Sequence, residues 1–208
     1  MHDQQIERIH SKLKLLKQTD SDFELFGAEA HEYALEPVWT PDDIKRFEET
    51  WNIVLPEEYR EFLLKVGSGG AGPFYGLEKP ENGVFGDLDY RTELNEISKE
   101  FPYTEEWNPE DDRDSESMTE EEWAELENEY FSPKHSAGLL RISNFGCGVS
   151  MNLVVKGHCY GEIWADDRAN SGGIYPDHYF GNKERLTFLN WYETWLDQSL
   201  EKINTKQA

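Results

Sequence analysis

Apolar positions recur along the chain in two periods, and the change of period divides it. Over residues 3–18, Ile6, Ile9, Leu13 and Leu16 fall three or four apart and form one stripe, the mark of an amphipathic helix. Lys12, Lys14 and Lys17 crowd its C-terminal half, where cations offset the helix dipole. Such a helix is expected on the outside of the fold, where its stripe could serve a dimer. Thr40 is placed to cap a second helix. Pro41 suits its first turn, Asp43 completes a reciprocal capping box, and Ile44, Phe47 and Trp51 supply the apolar face. A third helix starts at Pro56, with Glu57 and Glu58 at its positive end. Its stripe is Tyr59, Phe62, Leu63 and Val66, and Gly67 is expected to end it in the left-handed conformation. Residues 92–100 predict a short helix with Leu94, Ile97 and Phe101 inward. Thr119 and Glu122 form a capping-box pattern ahead of Trp123, Leu126 and Tyr130. A closing helix over 186–202 carries Leu189, Tyr192, Trp195 and Leu196.

Between 138 and 165 the period becomes two. Leu140 and Ile142 alternate with polar neighbours, as do Val149, Met151, Leu153 and Val155. Lys156-Gly157 signals a turn before 159–165, so the region predicts successive antiparallel strands, with Gly146, Gly148 and Gly161 marking bulges or close backbone approach. Helices, then a strand meander, then a helix make an α+β class: a central antiparallel sheet with helices packed on it, in a single domain of 208 residues. Residues 1–20 form the N-terminal amphipathic helix, and 31–200 the main domain, with an acidic insertion at about 102–135.

Charge changes this picture most. Twenty basic residues face 43 acidic ones, a net −23. Thirteen acids and one base lie between 105 and 129, so the first part of that stretch reads as a mobile loop and the second as an anchored helix. A field of this sign repels phosphate, which argues against nucleic acid and anionic membrane as partners and favours a basic one. No apolar run approaches about 18 residues, and the opening residues show no apolar stretch of signal-peptide type, so a cytoplasmic protein is expected.

Candidate chemistry is thin. Gly67-x-Gly69-x-x-Gly72 matches a dinucleotide fingerprint by letter, yet a helix precedes it and Pro73 follows, so the wrong end of a dipole would meet pyrophosphate. His158 and Cys159, neighbours in a strand, point to opposite faces and cannot form a dyad, whereas Cys147 with His135, His158 or His178 stays geometrically open. Cys147 and Cys159 are too few for a disulfide framework and lack the spacing of a zinc site. Asp166-Asp167 follows a strand end, and Asp87 and Asp89 sit in a loop, without the spacing of a calcium loop. No cofactor, no metal and no catalytic residue is expected. Phe74, Tyr75 and Trp164 read as core, with some of this aromatic set open to an exposed binding patch beside acidic loops.

The stretch Trp51 to Leu77, WNIVLPEEYREFLLKVGSGGAGPFYGL, resembles the signature of the SMI1/KNR4 family of the SUKH superfamily. Two later blocks, Gly138 to Gly148 and Leu153 to Asp166, resemble that family's later blocks in the same order, as does the lead-in His31 to Pro37. The acidic insertion departs from the family pattern. The resemblance implies a non-catalytic binding protein. Bacterial members are immunity proteins of polymorphic toxin systems that neutralise a cognate toxin domain, often a nuclease; fungal members are regulatory scaffolds of cell-wall synthesis. Charge suggests the partner-binding residues: Asp87, Asp89, Asp111, Asp112, Asp114, Glu116, Asp166 and Asp167. A monomer or weak dimer is expected.

Overall fold

The two-residue alternation becomes a sheet with two dry faces. Strands β1 (Leu139–Gly146), β2 (Val149–Val154), β3 (Ile163–Asp166) and β4 (Ile174–Pro176) form one antiparallel meander in the order β1-β2-β3-β4. The computed structural model describes residues 2–86, 91–109 and 118–207. Register shifts between Asn144 and Gly146 and between Arg141 and Ser143 place bulges in β1, the first of them where Gly146 predicted one. On one face Leu140, Ile142, Met151, Leu153, Ile163 and Ala165 join the main core. On the other, Leu139, Val154, Trp164 and Ile174 gather with Phe101 and Cys159, and Tyr103 and Trp107 lie over them.

Among the described residues, seven helices surround the sheet: α1 (Asp3–Thr19), α2 (Ala28–His31), α3 (Pro41–Trp51), α4 (Glu57–Lys65), α5 (Pro80–Gly83), α6 (Glu120–Tyr130) and α7 (Phe188–Gln207). The Thr40–Asp43 and Thr119–Glu122 boxes form as predicted. Helix α1 packs on the outside of the fold with its polar face exposed, as expected; the dimer use of its stripe and two other expectations need correction. The whole α1 stripe is buried in the main core against α7, with Ile9 and Leu16 fully covered, so that stripe is not available to a second copy. A bidentate Arg8–Glu193 pair (2.7 and 2.9 Å) and Lys12 (2.8 Å) fasten it. Burial alone would raise the Glu193 pKa, but Arg8 and Lys12 hold it down to about 2. Helix α4 ends at Val66 without a left-handed Gly67; the missing side chain there makes room for the Glu36 carbonyl and Leu35. Residues 92–100 form no helix. The Asn95 side chain bonds the Ser136 and Leu139 carbonyls and its own following amide, offering the backbone partners that a helix would have supplied. Ile97 and Phe101 are buried there, while Leu94 is exposed.

The glycine-rich corner after α4 adds rungs to the sheet. Leu77 bridges Ser143 of β1, Gly70 bridges Leu77, and Leu35 bridges Gly70, so the β1 edge is covered by three crossing segments. At the far edge Trp107 and Ile174 exchange two backbone bonds of 2.8 Å. Gly70 sits at φ +92°, and a Cβ there would overlap the Ala34 carbonyl. The Tyr192 hydroxyl of α7 donates to the Ala71 carbonyl at 2.8 Å in the buried interior. Gly70→Ala therefore meets both a disfavoured conformation and a backbone wall, whereas a methyl group on Gly181 (φ +71°) would have nothing within 4 Å. Chemical denaturation should show Gly70→Ala losing about 3 kcal/mol or more and Gly181→Ala only about 1. Equal losses would contradict the close approach.

Candidate interaction surface

Of the eight carboxylates singled out by charge, Asp87, Asp89, Asp111, Asp112, Asp114 and Glu116 lie outside the described residues. Asp166 ends β3 and is committed internally. It accepts Arg168 Nε at 2.8 Å and the second guanidinium nitrogen at 2.6 Å. Arg168 in turn donates to the Tyr130 and Ser132 carbonyls, so this pair caps the C-terminal end of α6. Asp167 accepts Asn170 Nδ2 at 2.7 Å and the Tyr175 hydroxyl at 3.2 Å. Burial pushes the Tyr175 hydroxyl well above its ordinary range, with Tyr179 and Asp167 adding to it, so it stays protonated and can donate.

From Asp167 a chain of aromatic rings leads across the end of the sheet. The Tyr175 and Tyr179 hydroxyls are 3.0 Å apart. Tyr179 packs on Phe145 (centroids 4.5 Å), Phe145 on Phe74 (4.7 Å) and Phe26 (5.9 Å), and Phe26 on Tyr75 (5.3 Å). A tight turn from Pro73 to Gly76 sorts the central pair. Phe74 takes a left-handed backbone (φ 59°) and is buried, while Tyr75 is 48% exposed. Gly27 lies directly on this turn, since a Cβ on it would overlap the Phe74 carbonyl, and it brings Phe26 alongside, 60% exposed. Of the aromatic set named from sequence, Phe74 and Trp164 are thus core and Tyr75 is surface. Phe26, Phe145 and Tyr179 are isolated rings that belong to no periodic stripe, so spacing along the chain gives no signal for them.

A family model described as SMI1 / KNR4 family (SUKH-1) matches residues 39–171. The chain belongs to the SMI1/KNR4 family. Neither curated proteins nor solved structures gave a match. SMI1/KNR4 proteins are generally non-catalytic and point to protein–protein interaction. The matched stretch holds the glycine corner, Tyr75, Phe145 and the Asp166-Asp167 pair, whereas Phe26, α1 and α7 lie outside it. The aromatic row therefore joins family-matched and unmatched parts of this SMI1/KNR4 chain.

Nucleophilic chemistry finds little support in the arrangement of the cysteines and histidines. Cys159 is buried, its Sγ 3.4 Å from an Arg185 nitrogen; burial pushes the thiol pKa up, and Glu162 adds to that. His135 engages the Tyr103 hydroxyl through Nδ1 (2.5 Å) and the Glu129 carbonyl through Nε2 (2.9 Å), so neither nitrogen is free for Cys147. Among the described residues no three His, Cys, Asp or Glu side chains converge as metal ligands, and no helix is long and apolar enough to cross a membrane. Cys147 is exposed at the β1–β2 turn. A thiol reagent added to the folded protein should titrate one fast equivalent, and replacing Cys147 by Ser should abolish it; two fast equivalents would contradict the burial of Cys159.

One buried acid near this end of the sheet has a measurable consequence. Asp177 is 2% exposed, its Oδ1 accepting only a long bond from the Tyr179 amide (3.3 Å). Its Oδ2 and the Trp191 indole N–H, though near enough for the indole to favour the carboxylate, close no hydrogen bond. Burial raises Asp177 from 3.8 to about 6, and the Tyr179 amide, His178 and Trp191 offset only part of this. The folded state thus holds the proton more tightly than the unfolded chain, so stability grows as pH falls through 6 toward 3.8. His31 acts oppositely. Burial lowers it from 6.5 to about 4, so stability is lost as pH falls below 6.5. Asp177→Asn leaves the His31 contribution unchanged. The variant should therefore gain on the parent by about 2 kcal/mol between pH 4 and pH 8, since a rise from 3.8 to about 6 is felt at about 1.4 kcal/mol per pH unit and pH 4 already lies above 3.8. Parallel stability curves across that range would contradict this.

Proposed function

We propose that this protein is a non-catalytic immunity protein of the cytoplasm, neutralising a basic toxin domain, of nuclease type, by covering its surface. The observation that carries the reading is the net charge of −23 on a chain of the SMI1/KNR4 family. A nuclease is cationic where it holds phosphate, so an anionic cover both steers encounter and repels the competing substrate. The outward charge is concentrated. Helix α6 exposes Glu120, Glu121, Glu122, Glu125, Glu127 and Glu129 and buries no residue of its own. Asp87, Asp89, Asp111, Asp112, Asp114 and Glu116 belong to the same proposal, and Asp167 borders the aromatic row. Asp166, paired to Arg168, supports the scaffold beneath it.

The test is association with the C-terminal domain encoded by the neighbouring upstream gene. That domain should co-purify with this chain, and the association rate should fall by about tenfold or more between about 50 and 500 mM salt. A rate indifferent to salt would remove the electrostatic part, and failure to bind would remove the immunity reading.

A further inference from the structure

Phe26 stands as a ridge between two grooves. On one side a groove of about 560 Å³ has Phe74, Phe180 and Trp195 in its walls, with Glu24 and Lys202 at its margin. On the other a groove of about 520 Å³ has Phe23, Phe26 and Tyr75 in its walls; its charged lining residues are Glu24 and Glu29, and none is cationic. The Phe26 and Tyr75 rings meet edge to face at 5.3 Å with an interplanar angle of 60°. The second groove therefore offers aromatic faces and the exposed Glu29 carboxylate in one concavity.

Charge selects among possible occupants. A second copy of this chain would bring another −23 against Glu24 and Glu29, and an anionic membrane would be repelled likewise. An uncharged apolar segment would cover the exposed Glu29 without pairing it, which is costly. A guanidinium satisfies both features: it stacks on aromatic rings, is weakly hydrated, and pairs carboxylates through a planar fork of donors. We propose that the Phe26–Tyr75 groove receives an arginine side chain carried on a basic loop of the protein partner. This rests on the immunity reading for the partner's identity and on the groove alone for its chemistry.

The probe is a capped Gly-Gly-Arg-Gly-Gly peptide, titrated into the full chain at low salt and followed by NMR, with lysine and citrulline versions beside it. Saturable shifts are expected at Phe26, Tyr75 and Glu29, with lysine binding several-fold more weakly and citrulline producing no shift. Phe26→Ala combined with Tyr75→Ala should weaken arginine binding about tenfold or more, and Glu29→Gln about threefold. Both rings are substantially exposed, so an unchanged melting temperature should accompany the loss. Undiminished binding by the double variant, equal binding of arginine and lysine, or shifts centred on α6 would overturn the groove. So would self-association in sedimentation that the double variant abolishes, which would assign the face to a second copy. Shifts on α6 would leave the immunity reading standing, whereas arginine binding in the groove with no toxin association would sink that reading and spare the groove.

Discussion

Three backbone segments cross at Gly70, and the rest of the structure depends on how closely they approach. With no side chain there, Ala34–Leu35 on one side and Leu77 on the other pair with the same residue, and Leu77 passes the ladder on to β1. The corner is closed from above by Tyr192, whose hydroxyl satisfies the Ala71 carbonyl in a site sealed from water. His31, neutral and packed against Tyr33 and Trp195, fills the adjacent space. The lead-in segment and the chain leaving α4 are thus locked to the sheet through backbone contacts, and α7 is tied to the same corner by the Tyr192 hydroxyl.

A sheet buried on both faces needs two covers, and this chain draws them from very different material. The helical cover is conventional: apolar stripes of α1, α4 and α7 meet the face bearing Leu140, Met151 and Ile163. The second cover comes from the acidic segment. Tyr103, Trp107, Tyr130 and His135 stack in series, His135 and Trp107 only 4.0 Å apart, with Tyr103 and Trp107 above Phe101 and Trp164. The carboxylates of α6 in the same stretch stay on the surface, so one segment closes a core with its rings and sets the external field with its acids.

Not all of that negative charge is available to a partner. Glu193 is held by Arg8 and Lys12, Glu78 by the buried Arg141 guanidinium, and Asp166 by Arg168. These pairs join α1 to α7, the 77–78 rung to β1, and α6 to the end of β3. Among the described residues, the densest run of exposed carboxylates is on α6, while the groove beside Phe26 and Tyr75 carries Glu24 and Glu29.

Much of the architecture was legible in the order of residues. Stripes three and four apart located α1, α3, α4 and α7, two capping boxes placed helix starts, the change to period two marked the meander, and the motif around Gly67–Pro73 pointed to the SMI1/KNR4 family. These are local signals, set by neighbours within one or two turns. Net charge likewise belongs to composition, and it gave the sign of the expected partner. Only the folded chain decided that Phe74 turns inward while Tyr75 turns out, that the α1 stripe packs on α7, that Asn95 undoes a helix, and that Asp166 pairs with Arg168. Each of those outcomes depends on contacts made across long stretches of chain, Phe26 with Phe145 or Arg8 with Glu193, and periodicity within a single element carries no information about them.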